Sequence, residues 1–417
     1  MPLREPLGVW LHGIRVAELV ARGPGAVQCR YTPAARELWP DATPLLSYSL
    51  PLGARLADAS AFLAGLLPDP EHRGKVAAVH GVAPGDAFAL VERLGRDLPG
   101  AAVVAHGDPV GRTDAAGPSS SARAPAAEPY DAGSLADDVA HLAERPLGVR
   151  PDTAASIGGR GDKLLLVQLP DGGWGRPVGG YPSTHVLKLE DPRFPGRAAA
   201  EAACLAMARA LGLTWLEVEH VTVAGRSGLF MPRFDRTLDA EGAVGRLHAE
   251  DACQALGKDP EAARGRGRYE KTGGPGLRAV AALLAAHAED PERELAKLLT
   301  AATFTAVVGN ADAHGRNLGL LHPRPGVLAL APLYGTVPTT LWSTARSDAA
   351  MAVGGRWSLR SVTLDDLEAE GAAWGLGRRK ARREAWRTAE GVLDLAGEAE
   401  PRLSALVAAR AEALLAS

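Results

Sequence analysis

The most informative part of this 417-residue chain is Gly309-Asn310-Ala311-Asp312-Ala313-His314-Gly315-Arg316-Asn317. It offers a carboxylate, Asp312, and five positions later a carboxamide, Asn317. In a protein-kinase catalytic loop, this spacing sets a base that accepts a hydroxyl proton beside a ligand for Mg²⁺. Taken alone, the segment also fits a polar turn after a buried helix, and Asp312 with His314 also fits two ligands of a metal hydrolase.

A second segment, Leu330-Ala331-Pro332-Leu333-Tyr334-Gly335, lies where a kinase normally carries its other Mg²⁺ ligand, an Asp. Gly335 stands at that position, and the next carboxylate is Asp348, beyond Pro338. The sequence therefore favours a kinase that lacks one metal ligand. In the alternative interpretation, Gly335 serves a turn with positive φ and the metal is held in another way.

Two further features lie upstream in the order that a kinase requires. The segment from Ser156 to Lys163 is rich in glycine and precedes a strand, so its backbone N–H groups could approach phosphates, although it also fits a flexible hairpin entry. Lys188 lies within an apolar strand and Glu201 lies early in the following helix, which is how kinases pair a lysine with a glutamate. Alone, Lys188 also fits an ordinary solvent-facing strand residue.

Hydrophobic periodicity divides the chain into four parts. We predict an α/β module over 1–107, a flexible linker over 108–133, a strand-rich lobe over 134–235 and a helical lobe over 236–417 that includes a helix at 248–257. The linker is predicted because its Gly, Pro, Ser and Ala residues bury little apolar surface. The fold class is therefore α+β, with two lobes arranged as in protein kinases.

Composition excludes several classes of protein. The net charge of −3 argues against nucleic-acid binding by bulk charge. The three cysteines are far apart, which gives neither a zinc site nor a disulfide framework and fits a reducing cytoplasm. No apolar run suggests a membrane span or a signal peptide, so we expect no membrane partner and a cytoplasmic location.

In their order and in their residues, the motifs resemble those of the HipA family of bacterial toxin Ser/Thr kinases. The matching segments run almost from end to end: Val9-Trp10-Leu11-His12-Gly13, Ser47-Tyr48-Ser49-Leu50-Pro51-Leu52, Ser156 to Lys163, Ser183-Thr184-His185-Val186-Leu187-Lys188, Arg233-Phe234-Asp235-Arg236, Arg246 to Gly257, Tyr269-Glu270 and Gly273-Gly274-Pro275. The resemblance implies a HipA-like fold with a β-rich N-lobe, an added N-terminal α/β subdomain and a helical C-lobe.

The resemblance also implies residue roles. Asp312 would be the catalytic base, Asn317 would hold Mg²⁺, and Glu201 would form a structural ion pair with Lys188. Ser156 would match the serine that family members autophosphorylate in trans, which displaces the loop and silences the kinase. The ATP-binding residues would be Gly158, Gly159, Arg160, Gly161, Asp162, Lys163, Lys188, Pro232, Arg233, Phe234, His314, Arg316, Asn317, Tyr334 and Gly335.

The implied cofactors are ATP and Mg²⁺. The implied partners are a HipB-like helix-turn-helix antitoxin, operator DNA reached mainly through that antitoxin, and a protein substrate such as an aminoacyl-tRNA synthetase, with growth arrest and persistence as the outcome. The alternative is a catalytically silent pseudokinase or corepressor that binds nucleotide or antitoxin.

Two positions depart from the family pattern. The pattern Ala-Pro-x-Tyr-Asp ends here in Gly335, and Pro232 stands where a Glu is often found before Arg233. Adenine contacts through the side chain at 232 are therefore in doubt. The basic run 378–383 could approach DNA or tRNA, but its helical spacing favours a solvated helix face.

Overall fold

The computed structural model describes residues 4–23, 25–53, 55–108, 126–150, 152–159, 161–240, 242–342, 344 and 348–417. The chain divides into two compact units. The N-terminal unit consists of Met1–Leu189 and Val221–Glu250, and the C-terminal unit consists of Glu190–His220 and Asp251–Ser417. This division differs from the predicted boundary at 235, because the chain enters the C-terminal unit for about thirty residues, returns, and crosses again after residue 250.

The secondary structure of the described residues is as follows. The strands are β1 (Leu7–Leu11), β2 (Ile14–Gly23), β3 (Ala26–Tyr31), β4 (Ala57–Asp58), β5 (Val103–Ala105), β6 (Ala126–Pro129), β7 (Lys163–Gln168), β8 (Trp174–Val178), β9 (His185–Leu189), β10 (Glu219–Val223), β11 (Arg226–Pro232), β12 (Arg236–Leu238), β13 (Val244–Arg246), β14 (His248–Asp251), β15 (Gly319–His322), β16 (Ala329–Leu330), β17 (Asp348–Val353) and β18 (Arg356–Ser358). The helices are α1 (Pro33–Leu38), α2 (Ser60–Leu66), α3 (Pro70–His80), α4 (Ala87–Leu94), α5 (Ala132–Ala140), α6 (Arg197–Ala210), α7 (Ala252–Ala255), α8 (Ala262–Gly265), α9 (Leu277–His287), α10 (Pro291–Val308), α11 (Leu364–Trp374), α12 (Arg378–Leu395) and α13 (Pro401–Leu415).

The first part of the N-terminal unit is a five-stranded sheet in the order β4-β3-β2-β1-β5. The antiparallel strands β1 and β2 are joined by the two-residue turn His12-Gly13, where both residues have positive φ (49° and 81°), as a tight hairpin requires. Leu7 and Val9 of β1 point into a core that α2, α3 and α4 also build. The sequence prediction of a small α/β module corresponds to this sheet and its helices.

The second sheet of this unit has the order β10-β11-β9-β7-β8-β6. Strand β6 pairs with β8 from Ala126 to Pro129, and α5 begins at Ala132 with a capping box between Asp131 and Ser134. The predicted linker over 108–133 is therefore wrong in its last eight residues, which gain a strand partner that local composition does not reveal. Residues 109–125 of that prediction lie outside the described residues.

A buried ion network joins the two sheets of the N-terminal unit. Asp97, which follows α4, lies 2.8 Å from Arg236 and 3.4 Å from Arg233. Arg246 lies 3.5 Å from Asp97, and Asp235 lies 2.7 Å from Arg233. Burial alone would raise the pKa of Asp97, but the three guanidinium groups outweigh burial and hold this pKa below its ordinary value. Asp97 thus connects Arg233, Arg236 and Arg246 with the segment that follows α4, within the N-terminal unit.

The C-terminal unit is built around α10. The side chains of Leu298, Leu299 and Phe304 on this helix are fully buried, and α9, α11, α12 and α13 pack against it. The helix predicted over 248–257 is wrong in its first half: residues 248–251 form β14, and Asp251 then caps the one-turn helix α7. None of the helices in the described part of the chain is both long and apolar enough to cross a membrane.

Candidate functional site

The loop from Asn310 to Asn317 begins where α10 stops. Gly309 ends the helix with φ +74°, and a Cβ there would lie 2.3 Å from the Thr340 hydroxyl, so only glycine fits. The buried Asn310 follows; its Oδ1 accepts the Asp312 N–H at 3.2 Å and its Nδ2 donates to the Gly335 carbonyl at 3.4 Å. Asn310 thus connects the backbone of the two segments that the sequence predicts to carry the chemistry.

Asp312 and Asn317 lie together, as their spacing predicts. A 3₁₀ turn over Gly315–Asn317 brings the chain back, and the Asn317 Nδ2 donates to the Asp312 carbonyl at 2.9 Å. The half-buried Asp312 carboxylate accepts a hydrogen bond from the Tyr269 hydroxyl at 2.9 Å. The arrangement holds one carboxylate in a loop that is tied by hydrogen bonds, which is the geometry a general base needs.

Gly335 faces the carboxamide of Asn317. Its φ is +60°, and a Cβ built there would lie 3.7 Å from the Asn317 Oδ1, in ordinary van der Waals contact. A side chain at this position would therefore enter the space beside Asn317 without a clash. Both interpretations of Gly335 keep support, because the backbone has the left-handed conformation that glycine favours and the position adjoins the predicted metal ligand.

The donor set is incomplete for Mg²⁺. This ion is usually held by one or two carboxylates with near-octahedral oxygen geometry. Asn317 offers a carboxamide oxygen, but Gly335 offers no side chain, and no group of three or more His, Cys, Asp or Glu in the described ranges could hold a metal ion. The residues present therefore do not fit a tightly held Mg²⁺. The same finding leaves the metal-hydrolase alternative for Asp312 and His314 without further ligands among those residues.

The other predicted residues of this loop are more enclosed than the sequence suggests. His314 and Arg316 are 6% and 8% exposed. The Arg316 guanidinium lies 3.7 Å from the carboxylate of Asp251, and the Tyr334 hydroxyl donates to the Arg316 carbonyl at 3.0 Å. These contacts of Arg316 hold the second half of the loop in place. Contacts of His314, Arg316 and Tyr334 with ATP stay predictions.

Two lysines lie side by side in the N-terminal unit. Lys163 of β7 is directly opposite Lys188 of β9 in the antiparallel register, so both side chains leave the same face of the sheet. Val186, two residues before Lys188, packs on that face with Ala155 and with Ile157 of the Gly-rich segment. Like charges directly opposite each other destabilise a sheet, so an anion bound beside both lysines would offset their repulsion. The face thus has the charge that phosphate groups require.

The Gly-rich segment turns back so that its carbonyls contact the side chain of Lys163 at its end. Gly159 and Gly161 have φ of +97° and +93°, and the Lys163 Nζ donates to the carbonyls of Gly158 and Gly159 at 2.7 and 2.8 Å. Asp162 forms an ion pair with Arg226 at 2.7 Å rather than facing the lysine. Arg160, another predicted contact of ATP, lies outside the described residues.

Ser156 is fully buried. Its Oγ donates to the Leu66 carbonyl at 2.7 Å, and its N–H donates to the Asp97 carbonyl at 3.1 Å. In this conformation the hydroxyl cannot meet a phosphoryl donor. The predicted phosphorylation of Ser156 therefore requires the segment to leave this position.

The predicted hinge residues differ in role. Arg233 belongs to the buried ion network, so its side chain is held by Asp97 and Asp235, while its N–H donates to the Thr184 carbonyl at 2.8 Å. Pro232 ends β11 and Phe234 is half-buried. Glu201 is 1% exposed in α6. The adenine contacts of 232–234 and the pairing of Glu201 with Lys188 stay predictions.

Sequence reasoning missed three residues that shape these sites. Tyr269 appeared only as part of a motif, Asn310 only as part of a loop, and Asp97 not at all. Their contacts join residues 43, 25 and 139 positions apart. The Tyr-Glu pair of the C-lobe motif was the one available signal for Tyr269.

Comparison with known proteins decides the family. A model described as the HipA-like C-terminal domain matches residues 155–396, and a model described as the HipA N-terminal domain matches residues 7–105. The chain belongs to the HipA family. Membership confirms the resemblance inferred from the motifs.

Relatives within the HipA family are named as kinases. Putative kinase Y4mE of Sinorhizobium fredii (strain NBRC 101917 / NGR234) is 36% identical over 373 residues, which cover 88% of this chain and 83% of the relative. The serine/threonine-protein kinase toxin HipA of Shewanella oneidensis is 28% identical over 327 residues, 76% of this chain and 72% of the relative. These names support the kinase class for this HipA-family chain.

The fold is also shared with a HipA of known structure. HipA of Shewanella oneidensis MR-1, in a complex with HipB and operator DNA, matches with a TM-score of 0.78 and 23% identity, covering 98% of this chain and 96% of that one. The likeness confirms the predicted α+β, HipA-like fold.

Proposed function

We propose that this chain is a HipA-like serine/threonine protein kinase of the toxin type whose phosphoryl transfer is impaired by Gly335. Lys163 and Lys188 would hold the ATP phosphates under the Gly-rich segment, and the backbone of 232–234 would hold the adenine. Asp312 would accept the proton of the substrate hydroxyl, and Asn317 would offer an oxygen to Mg²⁺.

The position of Gly335 is the observation that carries this proposal. A Cβ at 335 would lie 3.7 Å from the Asn317 Oδ1, so an aspartate there would set its carboxylate beside the predicted metal ligand. Loss of a direct Mg²⁺ ligand should lower activity by more than the roughly 10- to 100-fold that losing an outer partner of a metal ligand costs. Aspartate tolerates a φ of +60° better than most residues, so the backbone does not forbid it.

The partners of the proposed toxin follow from the family. We propose a HipB-like antitoxin as the neutralising partner, with operator DNA reached mainly through it; a similar HipA is known in complex with HipB and operator DNA. We propose a cytoplasmic protein substrate such as an aminoacyl-tRNA synthetase, whose phosphorylation would arrest growth and produce persistence. A new phosphate of about −2 charge on Ser156 would compete with the phosphates of ATP and silence the kinase.

A catalytically silent protein is the second candidate. It would bind nucleotide or antitoxin, as a pseudokinase or corepressor, without transferring phosphate. Gly335 favours this candidate as well, because the proposed phosphate contacts of Lys163 and Lys188 do not depend on a side chain at position 335.

One experiment separates the two candidates. The chain, its Gly335→Asp variant and a matched Gly355→Asp variant are incubated with ATP and Mg²⁺, and phosphate on Ser156 is measured by mass spectrometry. Gly355 is the control because it also has positive φ (+74°) and open space around its Cβ position, in the β17–β18 turn. We expect label in Gly335→Asp, little in the other two, and none when Asp312→Ala is added.

Each other outcome counts against a part of the proposal. Equal label in the chain and in Gly335→Asp would show that Gly335 does not impair transfer. Calorimetric binding of ATP without label in any variant would favour the silent function. Failure of both the chain and Gly335→Asp to bind ATP would refute the kinase assignment itself.

A further inference from the structure

We infer that Tyr269 is a positioning residue for the carboxylate of Asp312, a role that rests on the proposed function of that carboxylate as the base. The Tyr269 hydroxyl donates to the Asp312 Oδ1 at 2.9 Å. A carboxylate is free to rotate about its terminal bond, and a hydrogen bond to one oxygen fixes that rotation. With Oδ1 held by the phenol, Oδ2 is the atom presented to a substrate hydroxyl.

The aromatic ring of Tyr269 makes a second contact with the loop. It lies edge-on to the imidazole of His314, with ring centroids 5.3 Å apart and planes at 82°. The residue is 9% exposed, and a buried phenol needs a polar partner for its hydroxyl, which Asp312 supplies. One side chain therefore contacts both the carboxylate and the residue two positions after it.

The segment that carries Tyr269 is itself attached to the loop. The Gly315 N–H donates to the Arg268 carbonyl at 3.1 Å, and a Cβ on Gly315 would lie 2.6 Å from the ring of Pro275. The loop and the segment therefore pack backbone to backbone, and Tyr269 has little freedom to move away from Asp312.

The far side of the same segment is anchored to the β17–β18 hairpin. The Ala352 N–H donates to Glu270 at 2.8 Å, and Lys271 pairs with Asp348 at 2.7 Å. The Lys271 ammonium also lies 4.6 Å from the ring centroid of Trp357, a cation–π contact. The two residues after Tyr269 are therefore held by the β17–β18 hairpin. These contacts restrict the backbone at Tyr269, so its hydroxyl can hold the Asp312 carboxylate in one position.

The contact acts on a different part of Asp312 than the rest of the loop does. Asn310 and Asn317 hold the backbone N–H and C=O of Asp312, whereas Tyr269 holds its carboxylate. Loss of the hydroxyl should therefore free the carboxylate to rotate and also loosen the loop, which keeps its fold but loses one of its attachments to the segment that carries Tyr269. Misplacement of a reacting group by about 1 Å can lower turnover about 100-fold.

The test uses Tyr269→Phe, which keeps the ring and removes the hydroxyl. Its control is Tyr130→Phe, because Tyr130 also donates to a carboxylate, that of Asp138 at 2.7 Å, in the N-terminal unit. In the active Gly335→Asp background, we expect Tyr269→Phe to lower kcat by about 10- to 100-fold and to change the KM for ATP by less than about twofold. Tyr130→Phe should leave both constants within about twofold.

A second measurement does not depend on activity. In the unmodified chain, hydrogen exchange of the peptide 309–318 should become at least about threefold faster in Tyr269→Phe, with no change in the peptides of α9. Unchanged exchange in 309–318 would overturn the inference, and so would faster exchange with an unchanged kcat. If Gly335→Asp is inactive, the proposed function fails and the exchange alone decides whether Tyr269 orders the loop.

Discussion

Replacing Asp97 with Asn should strongly destabilise the N-terminal unit. The carboxylate is fully buried and lies within 3.5 Å of three guanidinium groups. In the native network three arginines face Asp97 and Asp235, and after the change they face Asp235 alone. Breaking a buried ion pair from one side costs about 3–5 kcal/mol, and the remaining carboxamide oxygen keeps the loss near the lower value.

The expected loss converts into a measurable change of melting temperature. For a unit of about 200 residues, 1 kcal/mol shifts Tm by about 2–4 °C, so Asp97→Asn should lower Tm by about 6–12 °C in calorimetry. Asp137→Asn is the matched control, because Asp137 is 55% exposed and pairs with His141 and Arg145 at the surface. The control should move Tm by no more than about 2 °C.

The arginines provide a check on the cause. Burial, together with Arg236, lowers the pKa of Arg246 to about 10, which marks Arg246 as the least stabilised charge of the network. Adding Arg246→Met to Asp97→Asn restores the original charge balance and should recover about half of the lost Tm. Equal melting of Asp97→Asn and the control, or a further large drop in the double variant, would refute the electrostatic explanation.

Two more predictions concern the C-terminal unit. Burial, and then repulsion from Glu270, raise the pKa of Glu370 from 4.5 to about 7. The folded state therefore binds the proton more tightly than the unfolded state, so stability falls by up to about 3 kcal/mol as pH rises from 4.5 to 7. Melting curves at pH 5 and pH 8 should show Glu370→Gln more stable than the chain at pH 8 alone, and parallel curves would contradict this. Arg410 of α13 donates to the Ala306 carbonyl and to the Thr340 hydroxyl, both at 3.2 Å, so Arg410→Gln should cost about 1–2 kcal/mol in urea unfolding. The exposed Arg402 on the same helix is its control, and an equal cost for Arg402→Gln would show that the Arg410 contacts add nothing.

The sequence predicted the parts of the site whose partners are close along the chain. Asp312 and Asn317 belong to one loop, and their spacing alone requires a turn that brings them together. Lys163 and Lys188 belong to neighbouring strands, and the sequence named each of them as a possible phosphate contact but did not predict that they lie opposite each other. The helices α9 to α13 were also predictable, because their apolar periodicity is long and regular.

The parts that sequence reasoning missed depend on distant partners. The strand β6 exists because β8 lies beside it, and its own Ala-Ala-Glu-Pro sequence is typical of a linker. The short helix α7 follows β14, and the sequence analysis predicted both as one helix over 248–257. Asp97 and Tyr269 act through contacts with residues more than forty positions away, and a single sequence contains no record of such contacts.

The paired lysines of β7 and β9, as proposed contacts of ATP, would make the stability of the N-terminal unit depend on the concentration of nucleotide. If ATP binds beside Lys163 and Lys188, as proposed, the folded N-terminal unit would gain stability whenever the nucleotide is bound. Ligand present at about 100 times its Kd adds about 2.7 kcal/mol to the free energy of unfolding. Lifetime against proteolysis would then rise and fall with the nucleotide supply of the cell, whether or not the chain transfers a phosphate.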